Sequence, residues 1–471
     1  MTEYRPTIGL EIHAELNTRS KMFCSCINNP DEERPNTNIC PVCMAHPGTL
    51  PVINREAVHK VLLVGTALGA RLAGRTYFDR KNYFYPDIPK GFQTSQYKDP
   101  LVSGGELAGV AITRVHLEED TARSQHEKDR SLVDFNRAGV PLMELVTEPC
   151  IKSAEVAGMF ARELQLLLWY LKASEANMEK GEMRVEANIS VSKNDTFGTK
   201  VEVKNLNSFR SVERAIAYEI QRQSEALERG EKISQETRGW DEGKQATFSM
   251  RKKESSHDYR YFPEPDLPEL VLSEIPEFSP GALKKEMPEL PWQKRGRYTS
   301  LGIKNEDADM FVREPFFASF LDTILREMPL DVALLSVNYI TSDIAGKRQV
   351  GEVNDLWLTN PANAVRLGNL IKLIHAGKLS SRGAKDTLAV MFVDARDPGT
   401  IAKEKGFLQQ SDEGAIAEVA KKIIEANPTV AADYKAGKTS ALQFLIGQGM
   451  KETKGSANPG VLRSIFEKLL A

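Results

Sequence analysis

A change of hydrophobic period near residue 290 constrains this chain more than any other feature of its sequence. Before that point, segments such as IGLEIHAEL (8–16) alternate apolar and polar residues, which is the period of a half-buried strand. From PGALKKEMPELPWQKRGRYTSLG onward, Leu, Ile and Ala recur every three to four residues, which is the period of an amphipathic helix. We therefore predict an α+β fold in which an antiparallel-sheet domain precedes helical domains.

Proline and glycine suggest where the chain divides. The proline-rich stretch FPEPDLPELVLSEIPEFSPG (262–281) is interpreted as the connection between the two parts. We expect a sheet domain over 1–290, a helical domain over 291–408, and a small helical tail domain over 409–471. At 471 residues the chain exceeds what one hydrophobic core usually serves, which agrees with several domains.

Composition and charge narrow the class of protein. No apolar run reaches the roughly 18 residues of a membrane span, and the N-terminus has no basic segment followed by an apolar one. We therefore expect a cytoplasmic protein. The net charge of −3 argues against a strongly basic nucleic-acid binder, although local patches can still hold an RNA substrate.

Four of the five cysteines lie in CSCINNPDEERPNTNICPVC (24–43). The pattern is C-x-C, then 13 intervening residues, then C-x-x-C, which suits one tetrahedral zinc ion. Because sulfur would fill all four positions, such an ion would be structural. Reduced buried thiols and a redox pair are the alternatives. The predicted ligands are Cys24, Cys26, Cys40 and Cys43.

Several predicted strands share one polar face that is rich in carboxylates. A half-solvated sheet face is the plain structural interpretation of any one of them. Assembled side by side, these strands would form a floor dense in carboxylates, arginines and amides, which is typical of a site for phosphates and divalent ions. The residues of this face are Glu11, His13, Arg114, His116, Glu118, Arg184, Glu186, Asn188, Ser190, Glu202 and Lys204.

Glu144 lies in AGVPLMELVTEP (138–149), a predicted strand that is apolar on both faces. Burial of an unpaired carboxylate is costly, so Glu144 must pair with an arginine, become neutral or bind a metal. Together with Glu11, His13 and Glu118 it would supply ligands that Mg²⁺ or Mn²⁺ accepts, with ATP phosphates completing the set. The sequence has no Walker loop and no Rossmann glycine signature, so ATP would bind on a sheet through metal ions and basic side chains.

Eight motifs occur in a fixed order: IGLEIHAEL, FDRKNYFYPDIPKGFQTSQY, HLEEDTA, DFNRAGVPLMELVTEP, MRVEANISV, VEVKNLNSF, ETRGWDEGKQATFSMRKKE and DYRYFPEPDLP. In these motifs, from residue 8 to about 268, the chain resembles the bacterial, zinc-containing branch of the B-subunit family of aspartyl/glutamyl-tRNA amidotransferases. The resemblance implies a cradle domain with glutamine-synthetase-like topology, a helical domain, and a tail domain that binds tRNA.

The resemblance also implies an ATP-dependent carbon–nitrogen ligase with glutamine as amide donor. Glutamate on tRNA(Gln), or aspartate on tRNA(Asn), would be phosphorylated on its side-chain carboxylate, and ammonia would then displace the phosphate. This chain lacks an amidase signature with a Ser-Ser-Lys triad. The partners that the resemblance implies are therefore an amidase, which is the A subunit, together with a small C subunit, in a heterotrimer.

Carried over residue by residue, the resemblance implies three groups of site residues. The metal would be held by His13, Glu118 and Glu144, with Glu11 beside them. Glu186 departs from the aspartate usual in the family, and its extra methylene moves the carboxylate by roughly 1.5 Å. Lys81 and Lys90 are candidates for the ammonia route, and Arg184, Glu186, Asn188, Lys204 and Asn205 for contact with ATP or the aminoacyl end.

Two rival functions remain at this point. One is a self-contained, glutamine-synthetase-like ligase acting on free glutamate, for which the helical part would be unexplained. The other is a zinc-stabilised tRNA-binding scaffold without catalysis, in which the charges of the sheet face only contact phosphates. ATP turnover that depends on Glu144, and its dependence on aminoacylated tRNA, would separate these possibilities.

Overall fold

The protein was analysed as a computed structural model that describes residues 4–252, 259–409, 413–453 and 457–470. The chain folds into two compact units, Met1–Pro291 and Trp292–Ala471. The first unit contains the strands and the second is helical. The α+β class, with the sheet first and helices after it, is confirmed.

Among the described residues, the strands lie in the first unit, together with four α-helices and two short 3-10 helices, Leu272–Glu274 and Pro276–Phe278. The strands are β1 (Arg5–Glu15), β2 (Arg71–Leu72), β3 (Asp79–Asn82), β4 (Phe92–Ser95), β5 (Val102–Ser103), β6 (Glu106–Leu107), β7 (Val110–Glu119), β8 (Arg123–His126), β9 (Ser131–Asp134), β10 (Pro141–Thr147), β11 (Met183–Ser192), β12 (Val201–Leu206), β13 (Glu236–Asp241), β14 (Ala246–Lys252) and β15 (Phe262–Pro263). The helices are α1 (Arg55–Ala67), α2 (Ala154–Tyr170), α3 (Phe209–Glu228) and α4 (Pro280–Glu286).

One large sheet organises this unit, in the order β14-β13-β12-β11-β1-β10-β7-β5-β2, with β6 paired to β7. Its described pairs are antiparallel apart from β12 with β13, which run parallel. The sheet predicted from the sequence is antiparallel throughout. The exception arises because α3 crosses between these two strands, and a crossover helix returns the chain in the same direction.

The central strands bury one face of this sheet. On β1, Ile8, Leu10, Ile12 and Ala14 are at most 1% exposed. Helix α3 packs against β11 and β12, α2 packs against α3, and α1 packs against β7. Strand alternation then directs the remaining side chains of these strands to the opposite face. That face is the polar floor predicted from the sequence.

The proline-rich stretch 262–281 is part of the first unit, so its interpretation as a connection is wrong. Phe262 pairs with Arg80 of β3, and Leu270 forms a bridge with Thr76. Leu272 and Phe278 are buried in this unit. Proline removes backbone donors, but β15 lies at the edge of the small sheet β15-β3-β4, where proline is tolerated.

The second unit is helical, with a separate set of buried apolar residues over 298–402 and another over 416–470. A π-helical segment, Tyr339–Ile344, joins α8 to α9. No helix in the described ranges is long and apolar enough to cross a membrane. The helices are α5 (Pro291–Ser300), α6 (Asn305–Arg313), α7 (Pro315–Glu327), α8 (Leu330–Asn338), α9 (Ala345–Gln349), α10 (Asp355–Thr359), α11 (Pro361–His375), α12 (Ser381–Met391), α13 (Pro398–Glu404), α14 (Glu413–Ala426), α15 (Pro428–Lys435), α16 (Thr439–Glu452) and α17 (Pro459–Leu470).

Candidate active site

Strand register places four chemically active side chains in one row across the sheet. His13 of β1 lies directly opposite Glu144 of β10 on one side and Arg184 of β11 on the other. Glu144 in turn lies opposite His116 of β7. Directly opposed residues point to the same face, so the row spans four neighbouring strands on the polar floor.

The carboxylates converge on His13. Its Nε2 atom lies 3.4 Å from Glu144 Oε2, 3.6 Å from Glu118 Oε1 and 3.9 Å from Glu11 Oε1. His116 Nε2 lies 3.4 Å from the same oxygen of Glu144. Each contact is longer than an ordinary hydrogen bond, so the groups face one another without pairing tightly.

Burial and neighbouring charges shift these groups strongly. Burial alone would lower the pKa of His13, but Glu144, Glu118 and Glu11 outweigh it and raise this pKa to about 9. Burial would raise the pKa of Glu144, whereas His116 and His13 hold it well below its ordinary value. Burial, with Glu144 next to it, raises the pKa of Glu11. The cluster is therefore a concentration of negative charge held by two imidazoles.

The arrangement fits a divalent cation. Ligand atoms of Glu11, His13 and Glu144 lie within 4.8 Å of one another, and so do those of His116, Glu118 and Glu144. Oxygen-rich donor sets of this kind suit Mg²⁺ or Mn²⁺. Within the described chain, the buried Nδ1 atom of His116 has no hydrogen-bond partner, so hydrogen bonding does not complete the cluster.

The alternative of arginine pairing does not account for Glu144. Its arginine contact runs from Arg114 Nη2 to Glu144 Oε1 at 3.5 Å, a single long interaction. A buried pair offsets its desolvation only with close, well-saturated geometry. Glu144 is 4% exposed, so this contact alone does not compensate its charge, and His116 and His13 also stabilise the carboxylate.

The row forms the floor of an open cleft of about 770 Å³. Asn188 lies on β11 but is outside the cleft lining, and Lys90 lines two neighbouring cavities instead. The other residues predicted for the site line the cleft together: Glu11, His13, Lys81, Glu118, Glu144, Arg184, Glu186, Lys204 and Asn205.

Two cationic side chains of the cleft, Arg184 and Lys204, each form an ion pair with a carboxylate. Arg184 Nη1 donates to Asp120 Oδ2 at 3.0 Å. Burial opposes ionisation of Asp120, but the neighbouring arginines lower its pKa to about 2. Lys204 Nζ lies 2.8 Å from Glu186 Oε2. Glu186, where the sequence departs from the usual aspartate, is therefore an ion-pair partner of Lys204.

Sequence reasoning missed several cleft residues. It places His116 on the correct face but not among the ligands, although His116 precedes Glu118 at strand period. Four tyrosines also line the cleft, and they come from segments flanking the small sheet. Their period gives no signal, because they lie outside its strands. These tyrosines are Tyr83, Tyr97, Tyr259 and Tyr261.

The four clustered cysteines meet in space. The sulfurs of Cys24, Cys26, Cys40 and Cys43 lie within 4.8 Å of one another. A hydrogen bond from Cys24 to Cys43 lowers the pKa of Cys43 to about 5 and raises that of Cys24. Cys40 N also donates to Cys43 Sγ at 3.2 Å. The cluster can therefore hold a metal ion.

Lys90 lines two cavities beside the cysteine loop, which is the segment 24–43 that carries the four clustered cysteines. A cavity of about 270 Å³ is lined by Cys43, Lys90 and Glu119. A narrower one, of about 10 Å³, shares Lys90 and Glu119 with it and shares Asp87 and Gln93 with the cleft. Lys90 forms an ion pair with Glu119 and donates to Thr94 Oγ1 at 2.8 Å.

This chain is similar to known proteins both in its parts and over its whole length. Residues 6–275 match the family model described as "GatB/GatE catalytic domain", and residues 333–470 match "GatB domain". A relative from Crocosphaera subtropica is 44% identical over 493 aligned residues, covering 100% of this chain and 98% of its own. Relatives from Thermus thermophilus and Thermotoga maritima are each 44% identical and cover 99% of both chains. Each of the three is named as the B subunit of aspartyl/glutamyl-tRNA(Asn/Gln) amidotransferase.

Proposed function

Because this chain belongs to the B-subunit family of tRNA-dependent amidotransferases, we propose that its cleft activates an aminoacyl side chain on tRNA. The substrates are ATP and glutamate on tRNA(Gln) or aspartate on tRNA(Asn). The product is the corresponding amide on the same tRNA. The convergence of Glu11, Glu118 and Glu144 around His13 on one cleft floor is the observation that carries this proposal.

The reaction needs activation because a carboxylate is a poor acceptor for ammonia. Its leaving group would be oxide. In the first step a side-chain carboxylate oxygen attacks the γ-phosphorus of ATP, and the bond to ADP breaks. In the second step the nitrogen of ammonia attacks the carbonyl carbon, phosphate leaves, and the nitrogen loses a proton.

His13, Glu118 and Glu144 would hold the divalent ion, with Glu11 and His116 beside them. When bound, such an ion neutralises phosphate charge in the transition state. The imidazole of His13 must be neutral to act as a ligand. Since its pKa is raised to about 9, His13 would have to lose a proton from its ring to serve as a ligand at neutral pH.

Arg184 and Lys204 would bind the anionic groups of the substrates. Both line the cleft, and each is positioned by a carboxylate, Asp120 for Arg184 and Glu186 for Lys204. Preorganised cations lower the cost of reorganisation as charge develops on the transferring phosphoryl group. Asn205 lines the same side of the floor, and Asn188 lies beyond it on β11.

Ammonia would arrive past Lys90 and Lys81. The cavity beside the cysteine loop, the narrow cavity and the cleft share lining residues in succession. The narrow cavity has about the volume that one water molecule needs, and ammonia is of similar size. Lys90 lines the narrow cavity and the cavity beside the cysteines, and Lys81 lines the cleft.

Ammonia must come from another protein, because the sequence contains no amidase signature. We propose a heterotrimer in which this chain joins an amidase, as the A subunit, with a small C subunit, and in which glutamine is the amide donor. The tail domain over 409–471 would contact tRNA, and the helical domain over 291–408 would lie between it and the sheet domain in the chain. The cysteine cluster would hold structural zinc, since four thiolates complete a tetrahedral set.

The kinase half-reaction tests the proposal. The purified complex is mixed with Glu-tRNA(Gln), Mg²⁺ and radiolabelled ATP, without glutamine, and phosphate release is measured. We expect release that requires the charged tRNA and falls on the order of 10³-fold in His13→Ala and Glu144→Gln. Glu148→Gln is the matched control, because Glu148 is exposed and follows the same strand.

Three outcomes would overturn the proposal. Undiminished release in both variants would place the chemistry elsewhere. Release supported by free glutamate without tRNA would favour the self-contained ligase. Absence of any ATP turnover by the wild-type complex would favour the scaffold.

Metal analysis tests the cysteine cluster independently. Elemental analysis of the purified complex should find one zinc for each copy of this chain. Cys40→Ser should abolish stoichiometric zinc, and Cys150→Ser, which changes an exposed cysteine outside the cluster, should retain it. Full zinc in the Cys40→Ser protein would contradict the assignment.

A further inference from the structure

The cleft is lined by an aromatic wall of four tyrosines as well as by its polar floor. The small sheet β15-β3-β4 is flanked by four tyrosines that line the cleft. Tyr83 follows β3, Tyr97 follows β4, and Tyr259 and Tyr261 precede β15. The chemistry proposed above uses none of them.

Tyr97 and Tyr261 form a parallel stack within this wall. Their ring centroids are 4.3 Å apart and the rings are inclined by 10°. Tyr97 is 58% exposed although Tyr261 covers one of its faces. The stack therefore presents a largely exposed aromatic surface among the residues that line the cleft.

Hydrogen bonds to Asp79 fix the backbone that carries Tyr97, and Tyr259 packs against the other ring of the stack. Asp79 Oδ2 accepts from the backbone nitrogens of Tyr97 at 3.0 Å and Lys98 at 3.3 Å. Tyr259 packs edge-on against Tyr261, with centroids 5.9 Å apart. Asp79 is itself buried. A fixed ring loses little freedom when a ligand stacks on it.

A ligand matching both sides of the cleft needs a planar aromatic group and an anionic group. The floor provides Arg184, Lys204 and the carboxylate cluster suited to a divalent ion, which together suit phosphates. The wall provides a stacking surface, and aromatic side chains stack on nucleobases in this way. A nucleotide has both groups.

We propose that the Tyr97–Tyr261 stack binds an adenine base. The inference rests on the proposed function, which supplies two adenosines: that of ATP and the one at the 3′ end of the charged tRNA. The wall gives the base a stacking surface, and the floor receives the phosphates or the ester-linked amino acid. The shared chemistry is adenine, and the experiment distinguishes the two sources.

Steady-state kinetics of the complex test this assignment. The KM for ATP and the KM for Glu-tRNA(Gln) are measured for wild type, Tyr97→Ala and Tyr97→Phe. We expect Tyr97→Ala to raise one KM roughly 10-fold or more. Tyr97→Phe should keep the wild-type value, because it retains the ring. A rise in the KM for ATP identifies the base of ATP, and a rise in the KM for tRNA identifies the terminal adenosine.

Two controls make the test specific. Tyr85→Ala removes a similarly exposed tyrosine outside the cleft lining and should leave both constants unchanged. Tripolyphosphate, which has no base, should inhibit wild type and Tyr97→Ala with equal inhibition constants.

The inference fails if neither KM rises, if Tyr97→Phe loses as much as Tyr97→Ala, or if tripolyphosphate inhibition weakens in parallel. Turnover by wild type that requires charged tRNA tests the proposed function by itself. Failure of the stacking assignment therefore leaves that function standing.

Discussion

Two buried carboxylates of the same unit differ in how their charge is compensated. Glu219 on α3 is 0% exposed and accepts four hydrogen bonds: two from Arg222, one from Gln223 at 2.9 Å and one from Thr247 at 3.0 Å. Glu144 is nearly as buried but has contacts of 3.4–3.5 Å and faces other carboxylates. The two carboxylates are similarly buried, but only the oxygens of Glu219 accept close hydrogen bonds from several partners.

This difference distinguishes a carboxylate with a structural role from a carboxylate that can act as a metal ligand. A carboxylate with close, saturated partners offsets its own desolvation and needs nothing further. One that faces other carboxylates and makes only long contacts with imidazoles keeps its charge and is left able to bind a cation.

Glu219→Gln should lower the free energy of unfolding by about 3 kcal/mol, because the positive charge of Arg222 remains partly buried without its partner. The midpoint of urea unfolding measures this loss. Glu225→Gln, on the exposed face of the same helix, should change stability by less than about 0.5 kcal/mol. Equal effects of the two substitutions would show that saturation does not make Glu219 structural.

With divalent ions removed by EDTA, the stability contributed by His13 should depend on pH. Its pKa is raised to about 9 in the folded chain, so this contribution is complete below pH 6.5 and is lost as the pH rises through 9. As the pH rises from 6.5 to above 9, the difference in unfolding free energy between wild type and His13→Gln should therefore fall by roughly 2–3 kcal/mol.

Saturating Mg²⁺ should abolish this pH-dependent difference, because a ligating imidazole carries no extra proton. A difference that stays constant with pH in EDTA would mean that the carboxylates do not raise the pKa of His13. The comparison of Glu144 with Glu219 would then lose its electrostatic basis.

Glu144→Gln should lower the unfolding free energy of the metal-free protein by about 1 kcal/mol, which is less than the loss in Glu219→Gln. The lowered pKa of Glu144 means that attraction to His13 and His116 outweighs burial and nearby repulsion, but these contacts are 3.4 Å long. Urea unfolding in EDTA measures the net change. A loss as large as that of Glu219→Gln would make Glu144 a structural residue.

Glu186→Asp should have the smallest effect. Shortening the side chain by roughly 1.5 Å weakens the ion pair with Lys204, which is partly exposed and contributes up to about 1 kcal/mol. We expect the KM for ATP to change by no more than about 5-fold. Glu202→Asp, which weakens the longer 3.4 Å contact of Lys204, is the matched control. A loss of turnover comparable with that of Glu144→Gln would place residue 186 among the metal ligands.

Local patterns in the sequence predict the faces of the strands, the helical second unit and the cysteine cluster. Strand period placed Glu11, His13 and Glu118 on polar faces, because successive side chains of a strand point to opposite faces. Glu144 was marked instead by the cost of burying a carboxylate in an apolar strand. Helical period marked the second unit, and cysteine spacing marked the metal loop. These are local features that follow from backbone geometry and need no knowledge of pairing.

Which of these side chains come into contact depends on the tertiary structure. The row that joins His13, Glu144 and His116 depends on the register of strands far apart in the chain, and a shift of one residue would have turned their side chains away. The parallel β12–β13 pair and the aromatic wall also depend on such non-local contacts. Sequence period fixes the face of a side chain, whereas strand pairing fixes its neighbours.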